Sequence, residues 1–248
     1  MTEELFRSDA YARTCEAEVI AVDERGIQLD RTVFYPEGGG QPGDTGMLRF
    51  ADGRELRIAN THKGALPGEI LHVPVESVDW LKPGMHVTAE IDWARRHRLM
   101  RMHTCLHLLS AIIVAPVTGG QVGDGYGRLD FDLPETPDKN EVNEKLRELI
   151  ARDAPVSFRW ITDAELDAHP ELVKTMSVQP PHGVGRIRLV NVEGIDLQPC
   201  GGTHVAHIGE IGEVSIAKIE KKGHQNRRVR LEFPAAAPHA AKEVQRRI

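Results

Sequence analysis

The chain has 248 residues with 40% hydrophobic and 27% charged side chains, an ordinary soluble globular balance with room for two modest cores. The net charge of −6 excludes a general polyanion binder, and three cysteines in a chain this long are no disulfide framework. MTEELFRSDA at the start carries no basic or apolar leader pattern, and Leu106 to Val117 is too short to span a bilayer, so the expected setting is cytoplasmic with no membrane partner.

From Cys15 to Asp92 the pattern is short and β-like. Strands are predicted over 15–23, 26–35, 46–51, 54–59, 69–75 and 86–92, with turn signals at Glu24-Arg25-Gly26, Asp52-Gly53 and Lys82-Pro83-Gly84. Six such strands predict a small barrel, residues 1–92. Within it, Tyr35 to Gly46 holds five glycines in twelve residues, which lets backbone pass close to something else. It does not read as a phosphate loop, because no Lys-Ser/Thr and no helix follow it.

Trp93 to Val114 predicts a long amphipathic helix, with Leu99, Met102, Leu106, Leu109 and Ile113 as its apolar stripe and an end near Ala115-Pro116. Residues 118–128 read as a flexible polar stretch leading into a strand at Arg128–Leu133. Thr136-Pro137 then looks like the N-cap and first position of a helix reaching about Arg152. Val156–Ile161 reads as a strand, and Thr162-Asp-Ala-Glu165 as a capping box for a short helix. Residues 171–185 look like loop, Arg186–Val192 like a strand, and Glu213–Lys221 with Arg227–Phe233 like a hairpin. Pro234 to Ile248 is alanine-rich, a short helix or a frayed tail. Residues 93–248 therefore form an α+β unit with mainly antiparallel strands, following the N-terminal small β-barrel.

Charge is uneven along the chain. Residues 1–92 carry a balance of −8, residues 93–185 one of −2, and residues 186–248 one of +4. Arg95, Arg96, Arg98 and Arg101, or Lys221, Lys222, Arg227 and Arg228, offer a local basic patch for a phosphate backbone.

The chemistry-bearing pattern is a pair of pairs. His103 and His107 are four apart, one helical turn from each other. About a hundred residues on, Cys200 and His204 repeat the spacing in Cys-Gly-Gly-Thr-His. Three imidazoles and a thiolate suit Zn²⁺ in tetrahedral geometry, and Gly201 and Gly202 permit close backbone approach.

His103-Thr-Cys-Leu-His107-Leu-Leu, followed by Cys200-Gly-Gly-Thr-His204 with its Gly-Glu-Ile-Gly212 continuation, resembles the two metal motifs of the alanyl-tRNA synthetase editing domain. Phe34-Tyr-Pro-Glu-Gly-Gly-Gly-Gln41-Pro-Gly-Asp-Thr-Gly46 is similar to that module's glycine-rich segment, and Gly223 to Arg230 to its closing strand. No segment resembles an adenylate-forming core. The chain is thus identified as a member of the freestanding AlaX family in its two-domain form, a barrel in front of an editing core.

The resemblance implies hydrolysis, in trans, of the ester joining serine, or glycine, to alanine tRNA, at a Zn²⁺ held by His103, His107, Cys200 and His204. It implies catalytic roles for His103, His107 and Thr104, and a substrate pocket built from Gly38, Gly39, Gly40, Gln41, Gln121 and Arg128. Editing is needed because a pocket for a small side chain cannot reject every near-isostere by binding alone. Gln41, Gln121 and Thr104 are the candidates for sensing serine's hydroxyl. A full set of four ligands leaves two alternatives: a zinc-stapled RNA-binding module without catalysis, or a zinc hydrolase of another small ester or amide. Oligomeric state is not readable from the sequence.

Overall fold

The computed structural model describes residues 1–176 and 186–234. It is α+β, and the expected six-stranded barrel is present and closed. Its strands are β1 (Thr14–Asp23), β2 (Gly26–Leu29), β3 (Gly46–Phe50), β4 (Glu55–Lys63), β5 (Ile70–Pro74) and β6 (His86–Ile91). They close in the order β1-β2-β5-β4-β3-β6, every neighbour antiparallel, which removes all free edges. Inward residues such as Val19, Ile27, Leu29, Leu48, Leu56, Ile58, Val87 and Ala89 fill the interior.

The strand predicted over 26–35 ends early, at Leu29. There the Asp30 carboxylate accepts from the backbone N–H of Glu18 at 2.7 Å and of Arg31 at 2.9 Å. Residues 31–32 then pair in parallel with Glu3–Glu4.

Strand β6 runs straight into α1 (Trp93–Ile112), with Asp92 as N-cap accepting from Arg95 N–H at 3.0 Å. The predicted stripe of Leu99, Met102, Leu106, Leu109 and Ile113 is buried, but burial extends beyond it. Every residue from Met102 to Ser110 is buried, so α1 is the enclosed axis of the second core rather than a surface helix. It also stops three residues before Ala115, because Ile113 already takes an extended conformation.

The stretch 118–128 is not a flexible loop. It forms β7 (Val117–Val122) and the start of β8 (Tyr126–Asp132), a hairpin whose Val117, Val122, Leu129 and Phe131 enter the core. Its glycines hid the strand pattern. Helix α2 (Lys139–Ala151) begins later than Thr136-Pro137 implied, because the Asp138 side chain caps it by accepting from Asn140 and Glu141 N–H. The Thr162 capping box and α3 (Asp163–Asp167) follow β9 (Val156–Ile161) as expected.

After α3 come β10 (Ile187–Val192), the unforeseen β11 (Asp196–Pro199), and the expected hairpin of β12 (Ser215–Lys221) and β13 (Asn226–Glu232). Two antiparallel sheets result, β12-β13-β8-β7 and β9-β10-β11. Most of the readings for 171–185 and for Pro234–Ile248 lie outside the described residues.

Candidate metal centre

Helix α1 presents His103 and His107 on successive turns, and the loop leaving β11 presents Cys200 and His204. The four ligand atoms all lie within 4.8 Å of one another. The Cys200 sulfur is 3.5 Å from His103 Nε2 and 3.3 Å from His204 Nε2. A side chain at position 202 would put its Cβ 2.2 Å from the His103 ring, so glycine there is what lets the second motif reach the first.

Each imidazole is fixed through its other nitrogen. His103 Nδ1–H donates to Gln41 Oε1 at 2.8 Å, and His107 Nδ1–H to Asp196 Oδ2 at 3.0 Å. His204 Nδ1 meets the Thr104 hydroxyl at 3.1 Å. With Nδ1 occupied, every ring turns its Nε2 lone pair inward, the arrangement a metal requires. Burial alone would raise the Cys200 thiol, but His103 and His204 beside it hold its pKa well below the ordinary value, favouring the thiolate. Burial disfavours charge on His107, yet Asp196 prevails and lifts its pKa to about 9. Burial and the neighbouring His103 push His204 down to about 3. Once metal binding displaces the His107 proton, three imidazole nitrogens and the Cys200 thiolate in this compass fit one metal ion.

Among the predicted pocket residues, Gln41 is fully buried. Its Oε1 also accepts from Thr203 N–H at 3.1 Å, while its Nε2 donates to the Thr203 hydroxyl at 2.8 Å. The glycine-rich segment of the barrel therefore reaches the metal cluster through this amide. Thr104 is buried too, its hydroxyl accepting from Val205 N–H at 3.3 Å. Gly40 docks on the edge of β7, its carbonyl accepting from Val122 N–H at 2.7 Å. Its φ of +80° demands glycine, and so does the space around it, since an added Cβ would stand 2.9 Å from Gly120 O. Gly38 bridges Gln41, and Gly39 is exposed with open space above it. Gln121 and Arg128 are cross-strand partners on the sheet face opposite the Leu129 side, and so away from α1. Arg128 donates to Asp130 at 2.7 Å and to Gln121 at 3.3 Å.

The arginines expected to form a basic patch are each engaged within the chain, Arg96 and Arg227 buried and Arg98 at the surface in an exposed ion pair. Arg96 is fully buried on Asp44 and also donates to the carbonyls of Val33 and Ala10. Arg95 bonds Gly43 O, Arg98 pairs with Asp124, and Arg101 bonds Ile211 O. On the hairpin, Arg227 caps backbone carbonyls and Arg228 pairs with Asp130. These groups staple the fold.

Sequence reading missed Asp196, Gln198, Arg188 and Lys174. Gln198 Nε2 donates to Asp196 Oδ2 at 2.7 Å and to Ser110 at 3.2 Å, and Lys174 bonds the other Asp196 oxygen at 2.5 Å. A signal was present: Asp196, Gln198 and Cys200 are spaced by two, so a strand there puts all three on one face.

A closed barrel joined to a helix-centred antiparallel core, meeting at a buried three-histidine, one-cysteine cluster, defines an aminoacyl-tRNA editing module. Residues 187–230 match the family model described as "Threonyl and Alanyl tRNA synthetase second additional domain", and residues 8–95 that described as "tRNA synthetases class II (A)". The alanyl-tRNA editing protein AlaX-M of Methanosarcina barkeri is 40% identical over 239 residues, covering 92% of this chain and 98% of the relative. That of Saccharolobus solfataricus is 34% identical, with the same coverage of both chains. The alanine–tRNA ligase of Pyrococcus abyssi is 34% identical over 89% of this chain, which spans only 24% of the ligase. The chain belongs to the family of alanyl-tRNA editing proteins, which are deacylating hydrolases.

Proposed function

We propose that this protein hydrolyses, in trans and without ATP, the ester of alanine tRNA wrongly charged with serine or glycine, in the cytoplasm, at a Zn²⁺ site. The observation that carries the reading is the buried His103-His107-Cys200-His204 cluster, braced from the barrel by Gln41. When bound, zinc supplies a Lewis-acid centre that orients the aminoacyl end and lowers the pKa of nearby water. Water adds to the ester carbonyl, the bond to the ribose oxygen breaks, and the free amino acid and the tRNA hydroxyl leave.

The chain's own residues set the geometry. Gln41, Asp196 and Thr104 keep the three imidazoles aimed at one point, and burial of the cluster excludes bulk solvent from one side. Gly38, Gly39 and Gly40 leave a rim low enough for a ribose. Gln121 adjoins Gly40, with its Cα 3.6 Å from the space above that glycine, and with Arg128 continues the rim as a substrate contact. Among the described residues no helix is long and apolar enough to cross a membrane.

The test is release of amino acid from seryl-, glycyl- and alanyl-tRNA(Ala) at catalytic enzyme ratios, with zinc content measured beside it. Turnover of the seryl ester with the alanyl ester spared is expected. Stoichiometric RNA binding without turnover would instead establish a zinc-stapled binding module, the reading that a complete set of four protein ligands favours.

A further inference from the structure

The small sheet β9-β10-β11 has two unlike faces. Ile161, Ile187 and Leu189 form a minor core with Leu166 on one side. On the other, the register aligns Phe158, Val190 and Gln198 in one row. The next row holds Trp160 opposite Arg188, whose carbonyl accepts from Cys200 N–H at 3.0 Å. Directly paired residues share a face, and Gln198 touches Ser110 of α1, so this is the side carrying the metal cluster. With strands about 4.8 Å apart, Trp160 stands roughly 10 Å from Cys200.

Gln198 is held against Ser110 of helix α1, whereas the edge strand β9 stays largely exposed. Phe158 and Trp160 are each 42% exposed, two large rings side by side on the same face. Isolated exposed apolar residues are commonplace, but an adjacent aromatic pair continuous with a reaction centre is a contact surface. Arg188 makes the join. Its guanidinium lies 4.6 Å from the Phe158 ring centre, and its Nη1 donates to the carbonyls of Cys200 at 3.1 Å and Gly202 at 2.9 Å. The residue is only 8% exposed, yet its Nε–H has no hydrogen-bond partner among the described residues. That Nε–H is sealed from solvent, so Arg188 serves the exposed rings by tying Phe158 to the Cys200–Gly202 backbone rather than by offering a donor. Arg7, close above Gly201, adds positive charge around the same mouth, whereas Arg159 pairs with Leu189 and belongs to the opposite face.

We propose that Phe158 and Trp160 are a stacking platform for an unpaired base at the 3′ end of the substrate RNA, with Arg188 pinning Phe158 beside the metal cluster. This rests on the reading above that the ester at the cluster is carried by RNA. The base lies across the ribose from its ester, so a base beside the metal cluster is required wherever the ester is bound there. Aromatic rings accept any base, and Arg7 matches the phosphates.

The experiment uses the full chain. Trp160→Ala should raise KM for seryl-tRNA about 10-fold, within the range expected for one lost stack, at unaltered zinc content. Trp160→Phe should restore most of the loss, since a phenyl ring still stacks. In a protein carrying Trp80→Phe and Trp93→Phe, a short single-stranded oligonucleotide ending in CCA should quench the remaining Trp160 fluorescence. Unchanged KM and no quenching would overturn the platform. So would a Trp160→Ala protein that changes from dimer to monomer, because the rings would then be a self-association surface. Quenching by the oligonucleotide with no seryl-tRNA turnover in the wild type would retain the platform and overturn the editing reaction.

Discussion

At the scale of single residues, two buried side chains from the barrel govern the second core. Gln41 holds His103 by one hydrogen bond and Thr203 by two, so its amide couples both metal motifs. Outer partners of metal-bound histidines are worth roughly 10–100-fold in affinity. Gln41→Ala should therefore loosen zinc by about that factor, as read by competition with a chromogenic chelator; an unaltered affinity would show that His103 is oriented by packing alone. Asp44 is the other. It pairs with Arg96 where both are fully buried, and removing one member strands a charge in the interior. Asp44→Ala should cost about 3–5 kcal/mol in urea unfolding, whereas the double change to Arg96→Met with Asp44→Ala should cost clearly less. Equal losses would mean the pair contributes no coupling.

At the scale of elements, the contrast between Gly39 and Gly40 separates loop geometry from loop docking. Both have positive φ, but a Cβ at Gly39 meets nothing while one at Gly40 meets Gly120 O. Gly39→Asn should be nearly neutral, since asparagine tolerates that conformation, and Gly40→Ala should cost about 2 kcal/mol and lower editing activity. Matching melting temperatures for the two variants would refute the docking. Inside the barrel, His72 is fully buried, its Nδ1–H donating to Ile27 O at 2.9 Å and its Nε2 accepting from the Thr32 hydroxyl at 2.8 Å. Burial pushes its pKa down from 6.5 to about 4. The folded chain thus keeps His72 neutral where the unfolded chain takes up a proton. Its stabilising effect is complete above pH 6.5 and is lost as pH falls toward 4, by about 3 kcal/mol in all. In metal-free protein, His72→Gln should flatten that part of the pH–stability curve, and a superimposable slope would assign the dependence elsewhere.

The same scale shows what could be read without coordinates. Alternation and turn residues marked all six barrel strands because a closed barrel buries one face of each strand and wets the other. The His103–His107 pair was legible because i, i+4 spacing is a local property of a helix, and Cys200–His204 because its short glycine-containing motif repeats that spacing in a loop. What escaped depended on distant contacts. The β7 strand is rich in glycine and looks like a loop until Gly40 and β8 are seen beside it. The four arginines of α1 look like a surface patch until Asp44, Gly43, Asp124 and Ile211 are seen to receive them. Asp196 looks like any acid until β11 aims it at His107.

At the scale of the molecule, a metal held by the cluster would tie helix α1 to the loop after β11, two parts about a hundred residues apart in the chain. Stripping it should lower the melting temperature and increase hydrogen exchange in β11 and the 200–204 loop while the barrel amides stay protected. Uniform exchange across both cores would show that the chain unfolds as one unit regardless of the metal.

The joint between β6 and α1 is a single residue, Asp92, whose backbone N–H is itself tied to Thr45 O at 2.8 Å. His103 lies eleven residues along the helix from it, a rigid arm of about 16 Å at ~1.5 Å per residue. A tilt of about 5° at that joint would shift the imidazole relative to the barrel by more than ~1 Å, enough to break its hydrogen bond to Gln41. The barrel therefore cannot rock on the core as a clamshell. The chain is built as a fixed anvil, so in the proposed reaction the moving that would bring an ester to the cluster falls to the substrate rather than to the protein.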